Sequence, residues 1–198
     1  MSFLFIKNNS FLKNVFVNYL RPNRRKRDYT ILKKNLNKKE KILNLGAGTC
    51  LLDEIFLKKG FLIDSMDIYD GSMSELVKPV IYDGKKIPSK NNNYHSILLL
   101  SVLHHVRTQE DLLDEAKRVA KKIIIQEDVF EGNYKKFLFS VFDNLINLDF
   151  NLNQNYYNSV TEWEKIFKEH GLLISSINIR KRFLGINQAT FVLNKIKN

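Results

Sequence analysis

Residues 41–67 read KILNLGAGTCLLDEIFLKKGFLIDSMD. Lys41–Leu45 is a short apolar run suited to a buried parallel strand, and Gly46-Ala47-Gly48-Thr49 follows as a tight turn. Cys50–Lys59 reads as a helix, because Leu51, Leu52, Ile55 and Phe56 recur near 3.6-residue spacing. Gly60 stops that helix, and Phe61–Met66 is a second apolar strand that ends on Asp67. Glycines at such a turn let a ligand approach the backbone closely, with its polar groups near the positive end of a helix. An acid about 20 residues further on accepts hydrogen bonds from a ribose diol. The stretch is a nucleotide-type β-α-β unit, and at this point the nucleotide is open.

A dinucleotide fingerprint needs a third glycine at position 51, where Leu51 stands, and a P-loop needs Gly-Lys-Ser/Thr to close the turn. Neither is met. The pattern instead resembles motif I of the class I S-adenosylmethionine-dependent methyltransferases, of the small-molecule, type 11-like kind, in which an apolar strand runs into G-x-G-x-G. It departs from that family at Asn44, where an acid is usual, and at Cys50, which holds the third glycine position.

Composition narrows the rest. A chain of 198 residues with 44% apolar content is long enough for one well-buried domain. A single cysteine excludes a disulfide framework and makes a reducing, cytoplasmic setting the default. No apolar run approaches the roughly 20 residues that span a bilayer, and the first residues lack a signal-peptide pattern. Residues 1–41 hold eight Lys and four Arg against Asp28 and Glu40, which accounts for +10 of the net +11. The body is nearly neutral, which argues against a broad nucleic-acid face on it.

The basic segment, residues 1–40, reads as a helical arm or lid on a methyltransferase domain at 41–198. Ser10–Leu20 carries a stripe of Leu12, Val15, Phe16, Tyr19 and Leu20, with Ser10 as N-cap and Pro22 as its end. Arg21, Arg24, Arg25, Lys26 and Arg27 follow, and Asp28–Leu36 reads as a second helix. Three readings of residues 10–27 compete: a lid over the cleft, peripheral contact with an anionic membrane, and a grip on RNA phosphates, nucleic acid being the weaker of the two partners.

Further along, Gly71–Val77 reads as a polar connection with some helical character, and Pro79–Tyr82 as a third strand. Tyr94–Val106 contains a fourth strand at Ile97–Leu100 and a turn, Ser101-Val102-Leu103-His104-His105-Val106. Gln109–Ala120 is amphipathic, and Lys121–Gln126 is a fifth strand closing on Glu127-Asp128. Residues 131–160 form an acceptor-side insertion, with an apolar helix at Tyr134–Leu148. Thr161 with Glu164 reads as a capping box for a helix that ends at Gly171. Leu172–Ile179 and Ala189–Leu193 are the last strands. The fold class is therefore α/β, Rossmann-like, with a mostly parallel sheet of about seven strands and helices on both faces. The resemblance implies an antiparallel last strand.

The resemblance also implies S-adenosylmethionine as cofactor. It places contacts at Asn44, Leu45, Gly46, Ala47 and Gly48, at Asp67 and Ile68, at Asp83 and Gly84, and at Ser101 and Val102. Asp67 takes the ribose, and Asp83 takes the adenine amine. His95 replaces an acid usual at the start of the fourth strand. Methyl transfer is an in-line displacement, so the site's task is to align the acceptor and exclude water. A neutral histidine suits deprotonation of the acceptor, and the turn after the fourth strand offers His104 and His105. The equivalent turn of ubiquinone-pathway O-methyltransferases carries Glu-x-x-Glu-His and a metal. Ser101-x-x-His104-His105 lacks both carboxylates, so no metal is expected.

Glu127 and Asp128, with Phe137, Phe142, Tyr156 and Tyr157, are candidates to line a pocket for a small or lipid-like acceptor in a monomer or homodimer. Two alternatives stand beside this reading. One is an RNA or protein methyltransferase guided by the arm. The other is a non-catalytic adenosyl-binding or interaction module, motivated by Asn44, Cys50 and His95.

Overall fold

The computed structural model describes residues 22–106, 108–130, 158–181 and 187–196. In chain order the elements are α1 (Pro22–Leu32), a 3-10 turn (Lys33–Asn35), β1 (Lys41–Leu45), α2 (Leu51–Lys58), β2 (Leu62–Asp67), β3 (Val80–Ile81), β4 (Tyr94–Leu100), a 3-10 turn (Leu103–His105), α3 (Gln109–Val119), β5 (Ala120–Val129), α4 (Val160–Glu169), β6 (Leu172–Lys181) and β7 (Asn187–Lys195). The strands form one seven-stranded sheet in the order β3-β2-β1-β4-β5-β7-β6. Strands β1 to β5 pair in parallel, and β7 runs antiparallel to both β5 and β6.

Strand alternation sorts the apolar residues onto two faces. Leu43, Ile97, Ile123 and Leu193 stand side by side across β1, β4, β5 and β7. They join the core built from Leu113, Ala116 and Val119 of α3 and from Trp163 and Phe167 of α4. One residue out of phase, Leu98, Ile124 and Val192 form a second row, which with Ile42 packs against Leu32 of α1, Phe56 of α2 and Phe61. Helices thus cover both faces, which suits strands that are apolar on each side. Trp163 stacks on Phe167 with ring centroids 5.4 Å apart, anchoring α4.

Several elements differ from the sequence reading. Pro22 begins a helix, because its fixed φ and missing N–H suit the first helical position. The basic cluster at 24–27 therefore forms the first turns of α1. The stretch 71–77 forms no helix. Ser72 Oγ donates to Val77 O (2.6 Å), and Ser74 Oγ accepts from Leu76 N (3.1 Å) and Val77 N (3.0 Å), so side chains take over groups a helix would use. β5 continues through Glu127 and Asp128, because β7 supplies ladder partners as far as Val129. The cap of α4 is Ser159, two residues earlier than Thr161: Glu162 N donates to Ser159 Oγ, and Ser159 N donates to Glu162 Oε2 (2.6 Å). Ser10–Leu20 and Tyr134–Leu148 lie outside the described residues.

The cap makes a simple test of α4. Ser159→Ala lowers unfolding stability by about 1 kcal/mol in denaturant titrations, and Thr161→Ala changes it by less than about 0.5 kcal/mol.

Candidate functional site

The parallel strands β1, β2 and β4 end at one edge of the sheet, and the glycine turn lies there. Gly46 N and Ala47 N both donate to Met66 O of β2 (2.9 and 3.1 Å), which folds the turn toward β2. Gly46 has φ +75° and a side chain there would collide with Val102, while Gly48 has φ +54° and a Cβ placed on it meets nothing within 4 Å. The backbone at Gly48 faces open space, which suits a ligand that must lie close to the chain. Asp67, nearly buried at the end of β2, turns toward this backbone. Its Oδ2 accepts from Gly48 N (2.8 Å), and its Oδ1 accepts from Ile68 N (2.7 Å). Each oxygen keeps lone-pair capacity for another donor.

Ile68 is exposed beside this carboxylate, and a Cβ at Gly84 would come 3.2 Å from its Cγ2. The Asp83-Gly84 turn therefore adjoins the same corner. Asp83 Oδ1 accepts from Lys85 N (2.9 Å) and Lys86 N (3.1 Å), and these backbone donors hold its carboxyl below the usual range.

Behind the turn lies a polar cluster that the sequence reading missed. Asn44 shares the sheet face that α2 covers and is paired with Ser65 across β1 and β2. From α2, the fully buried Asp53 accepts from Asn44 Nδ2 (2.7 Å) and Ser65 Oγ (2.5 Å). Burial pushes the Asp53 carboxyl up to about 6, against these two hydrogen bonds. A second acid at position 44 would place two buried carboxyls in contact, which explains an amide there. The side chain of Asn44 thus points under α2 and that of Leu45 into the core, neither onto the outer side of the turn. Cys50 keeps the left-handed conformation (φ 55°) that a glycine would adopt without strain. Burial raises its thiol to about 12.

At the end of β4 the chain turns out through Ser101 (φ 58°), whose N donates to Gln126 O (2.7 Å). The fully buried Glu127 of β5 sits under the next residues. Its Oε1 accepts from Val102 N (2.9 Å) and Leu103 N (2.8 Å), and its Oε2 lies 2.6 Å from Nδ1 of the buried His104. His105 is exposed, with its ring centroid 3.9 Å from that of His104.

On the opposite sheet face α1 brings charge to the same edge. Arg24 Nη2 donates to Ser101 Oγ (3.4 Å), and Arg24 Nε lies 3.7 Å from Asp28 Oδ2. Arg180 of β6 donates to Asp28 Oδ1 (3.4 Å) and to Gln188, whose Nε2 donates to Asp128 Oδ1 (3.3 Å). This belt was not legible from sequence, because it joins residues up to 152 positions apart. Arg25 is half-buried near Glu54, and Lys26 and Arg27 face outward.

The structure thus gathers Gly46, Ala47, Gly48, Asp67, Ile68, Gly84, Ser101, Val102 and His104 at one edge. His95 lies at the start of β4, at the far edge, 3.2 Å from Glu40. Among the described residues no three His, Cys, Asp or Glu side chains group to hold a metal, and no helix is long and apolar enough to cross a membrane. Phe137, Phe142, Tyr156 and Tyr157 lie outside the described residues. A shallow concavity lined by Asn92, Lys121, Asn194 and Lys195 sits where β4 and β5 begin, at the edge opposite the strand C-termini where ligands of such sheets bind.

A glycine turn, an inward-turned acid and a strand switch at the carboxyl edge define a nucleotide-cleft α/β protein. Comparison sharpens this. Residues 43–123 match the family model described as a methyltransferase domain. Solved structures share the fold. A SAM-dependent methyltransferase from Methanosarcina mazei has 14% identity and a TM-score of 0.64, covering 85% of this chain and 98% of that one. Magnesium protoporphyrin IX methyltransferase from Synechocystis, with bound SAH, has 16% identity and a TM-score of 0.63, covering 94% and 88%. The (4+2)-cyclase SpnF has 11% identity and a TM-score of 0.65, covering 87% and 81%. At these identities the likeness to solved structures is one of fold. No curated protein matches in sequence. Residues 43–123 thus resemble a methyltransferase domain, set in a fold shared with solved S-adenosylmethionine-dependent methyltransferases.

Two consequences of the buried groups are measurable. A carboxyl whose folded pKa lies above its unfolded value favours the fold while protonated, and that contribution is lost as pH rises from about 4 to about 6. Denaturant titrations at pH 4.5 and 7.5 show this loss, on the order of 2–3 kcal/mol at about 1.4 kcal/mol per unit, and Asp53→Asn removes it. The Cys50 thiol stays unreactive toward Ellman's reagent at pH 8 in the folded protein and reacts fully on unfolding.

Proposed function

We propose that the cleft between the 46–48 turn and Asp67 holds the adenosyl part of S-adenosylmethionine, and that the chain methylates a small-molecule acceptor at the ends of β4 and β5. One observation carries this reading: the Asp67 carboxylate lies 2.8 Å from the Gly48 amide, so that acid and turn form one wall. The open space at Gly48 and the spare acceptor capacity of Asp67 fit a ribose diol lying against the backbone. Asp83 and Gly84 flank the adenine end beside Ile68, and Ser101 and Val102 border the methionine end.

When bound, the cofactor supplies an electrophilic methyl group on a sulfonium. The residues around it align the acceptor, exclude water and take up a proton. His104 receives the proton of a hydroxyl, amine or acidic carbon as the acceptor attacks, and exposed His105 is the weaker candidate. The acceptor side, toward β5, β7 and β6, carries the Arg24–Asp28–Arg180–Gln188–Asp128 belt, which favours a polar small molecule over an extended apolar chain.

The arm reads best as a cover for the cleft. Of the basic residues at 24–27, Arg24 turns inward to Ser101 and Arg25 toward α2, which leaves Lys26 and Arg27 for an anionic surface. We assign the unit boundary to the segment before β1, with α1 packed on the methyltransferase domain.

Calorimetry with S-adenosylmethionine and S-adenosylhomocysteine tests the cofactor reading. Both bind the wild type, and Asp67→Ala weakens each by about 10-fold or more, equivalent to about 1.4 kcal/mol. Wild-type affinity in that variant removes Asp67 from the site, and no binding of either compound favours a non-catalytic module. Deleting residues 1–21 leaves binding to anionic liposomes and to RNA unchanged if the arm is only a cover.

A further inference from the structure

We infer that Glu127 is a positioning residue: it fixes the proton of His104 on Nδ1 and so makes Nε2 the basic atom of the site. The inference rests on the methyl-transfer reading above, but its geometry stands apart from any cofactor. Glu127 is 1% exposed and His104 7%, so neither side chain is a surface group caught in chance contact. Both carboxylate oxygens are used, and for different purposes. Oε1 takes the amides of Val102 and Leu103, which holds the carboxylate in register with the turn. Oε2 faces His104 Nδ1 at 2.6 Å, the short separation of a charge-assisted bond.

An ionised carboxylate only accepts, so the proton of this bond belongs to His104 Nδ1. The neutral ring then carries its lone pair on Nε2. Glu127 can do this because β5 runs on past Gln126, held by pairing of Glu127 with Ala189 on β7. Rotation of the carboxylate would break two backbone hydrogen bonds at once, so the ring is held by a rigid group.

Glu127→Gln separates holding the turn from setting the tautomer. The Gln carbonyl oxygen continues to accept from the Val102 and Leu103 amides, which turns its NH2 toward His104 Nδ1. That nitrogen must then accept, and the proton moves to Nε2. Two measurements test this. In long-range 1H–15N spectra of 15N-histidine protein at pH 8, His104 (identified by its loss in His104→Gln) shows the Nδ1–H tautomer in the wild type and Nε2–H in Glu127→Gln. Release of S-adenosylhomocysteine is followed with a panel of phenol, carboxylic acid and amine acceptors. Glu127→Gln slows turnover by about 100-fold or more and displaces the acidic limb of the pH profile to lower pH, while S-adenosylmethionine affinity stays within about 3-fold.

An Nε2–H tautomer in the wild type overturns the proposal, whatever the fate of the variant. So does wild-type turnover with an unchanged pH profile in Glu127→Gln. Failure of the wild type to bind S-adenosylmethionine sinks the cofactor reading instead, and the tautomer still decides whether Glu127 sets the ring.

Discussion

The hydrogen bond from the Gly48 amide to the Asp67 carboxylate is the contact on which the site depends. It joins the end of β1 to the end of β2 through a residue that cannot point outward without leaving that amide unpaired. The two Gly46–Ala47 amides on Met66 O reinforce it. Together they place backbone, not side chains, along the mouth of the cleft. A backbone-lined wall suits methyl transfer, whose transition state asks for alignment and dryness more than for an array of reactive groups.

The two departures from the family's first motif have different physical explanations. At position 44 the amide replaces an acid because Asp53 already supplies a carboxyl from α2 to the same buried spot. One buried acid with two donors can be tolerated, and two in contact cannot. At position 50 the chain keeps the left-handed bend of a glycine while carrying a cysteine, and the packed side chain offsets part of that strain. Asn44 lies under α2 and Cys50 is buried, so the space beside Gly48 that a ligand would meet stays open. Substitution at consensus positions therefore does not argue for loss of the cofactor site.

The N-terminal helix alters the meaning of the chain's charge. A net charge concentrated in the first 41 residues suggests an electrostatic tether to something large. Packing of α1 against α2 and across the sheet withdraws Arg24 and Arg25 from that role and sets Arg24 against Ser101 and Asp28. The basic cluster is thus partly an internal device that fastens a helix to the carboxyl edge. Its carboxylate partner, Asp28, bridges the two arginines 24 and 180 there.

Much of this architecture is legible in local sequence. Apolar runs of four to six residues, the glycine turn and the amphipathic spacing of α3 determine the β-α-β order, because periodicity and turn chemistry act over a few residues. The spacing of Asp67 from Gly48 likewise follows from one strand-helix-strand passage. Local signals failed where competing groups were near at hand, as at Ser159 against Thr161. Residues brought together from distant strands were beyond them. Asn44 meets Asp53 only because α2 folds back over β1, Glu127 reaches His104 only because β7 extends β5, and Arg24 reaches Ser101 only because α1 crosses the sheet. Composition and spacing decide which elements form. Which side chains share a buried space is decided by the packing of elements far apart in the chain.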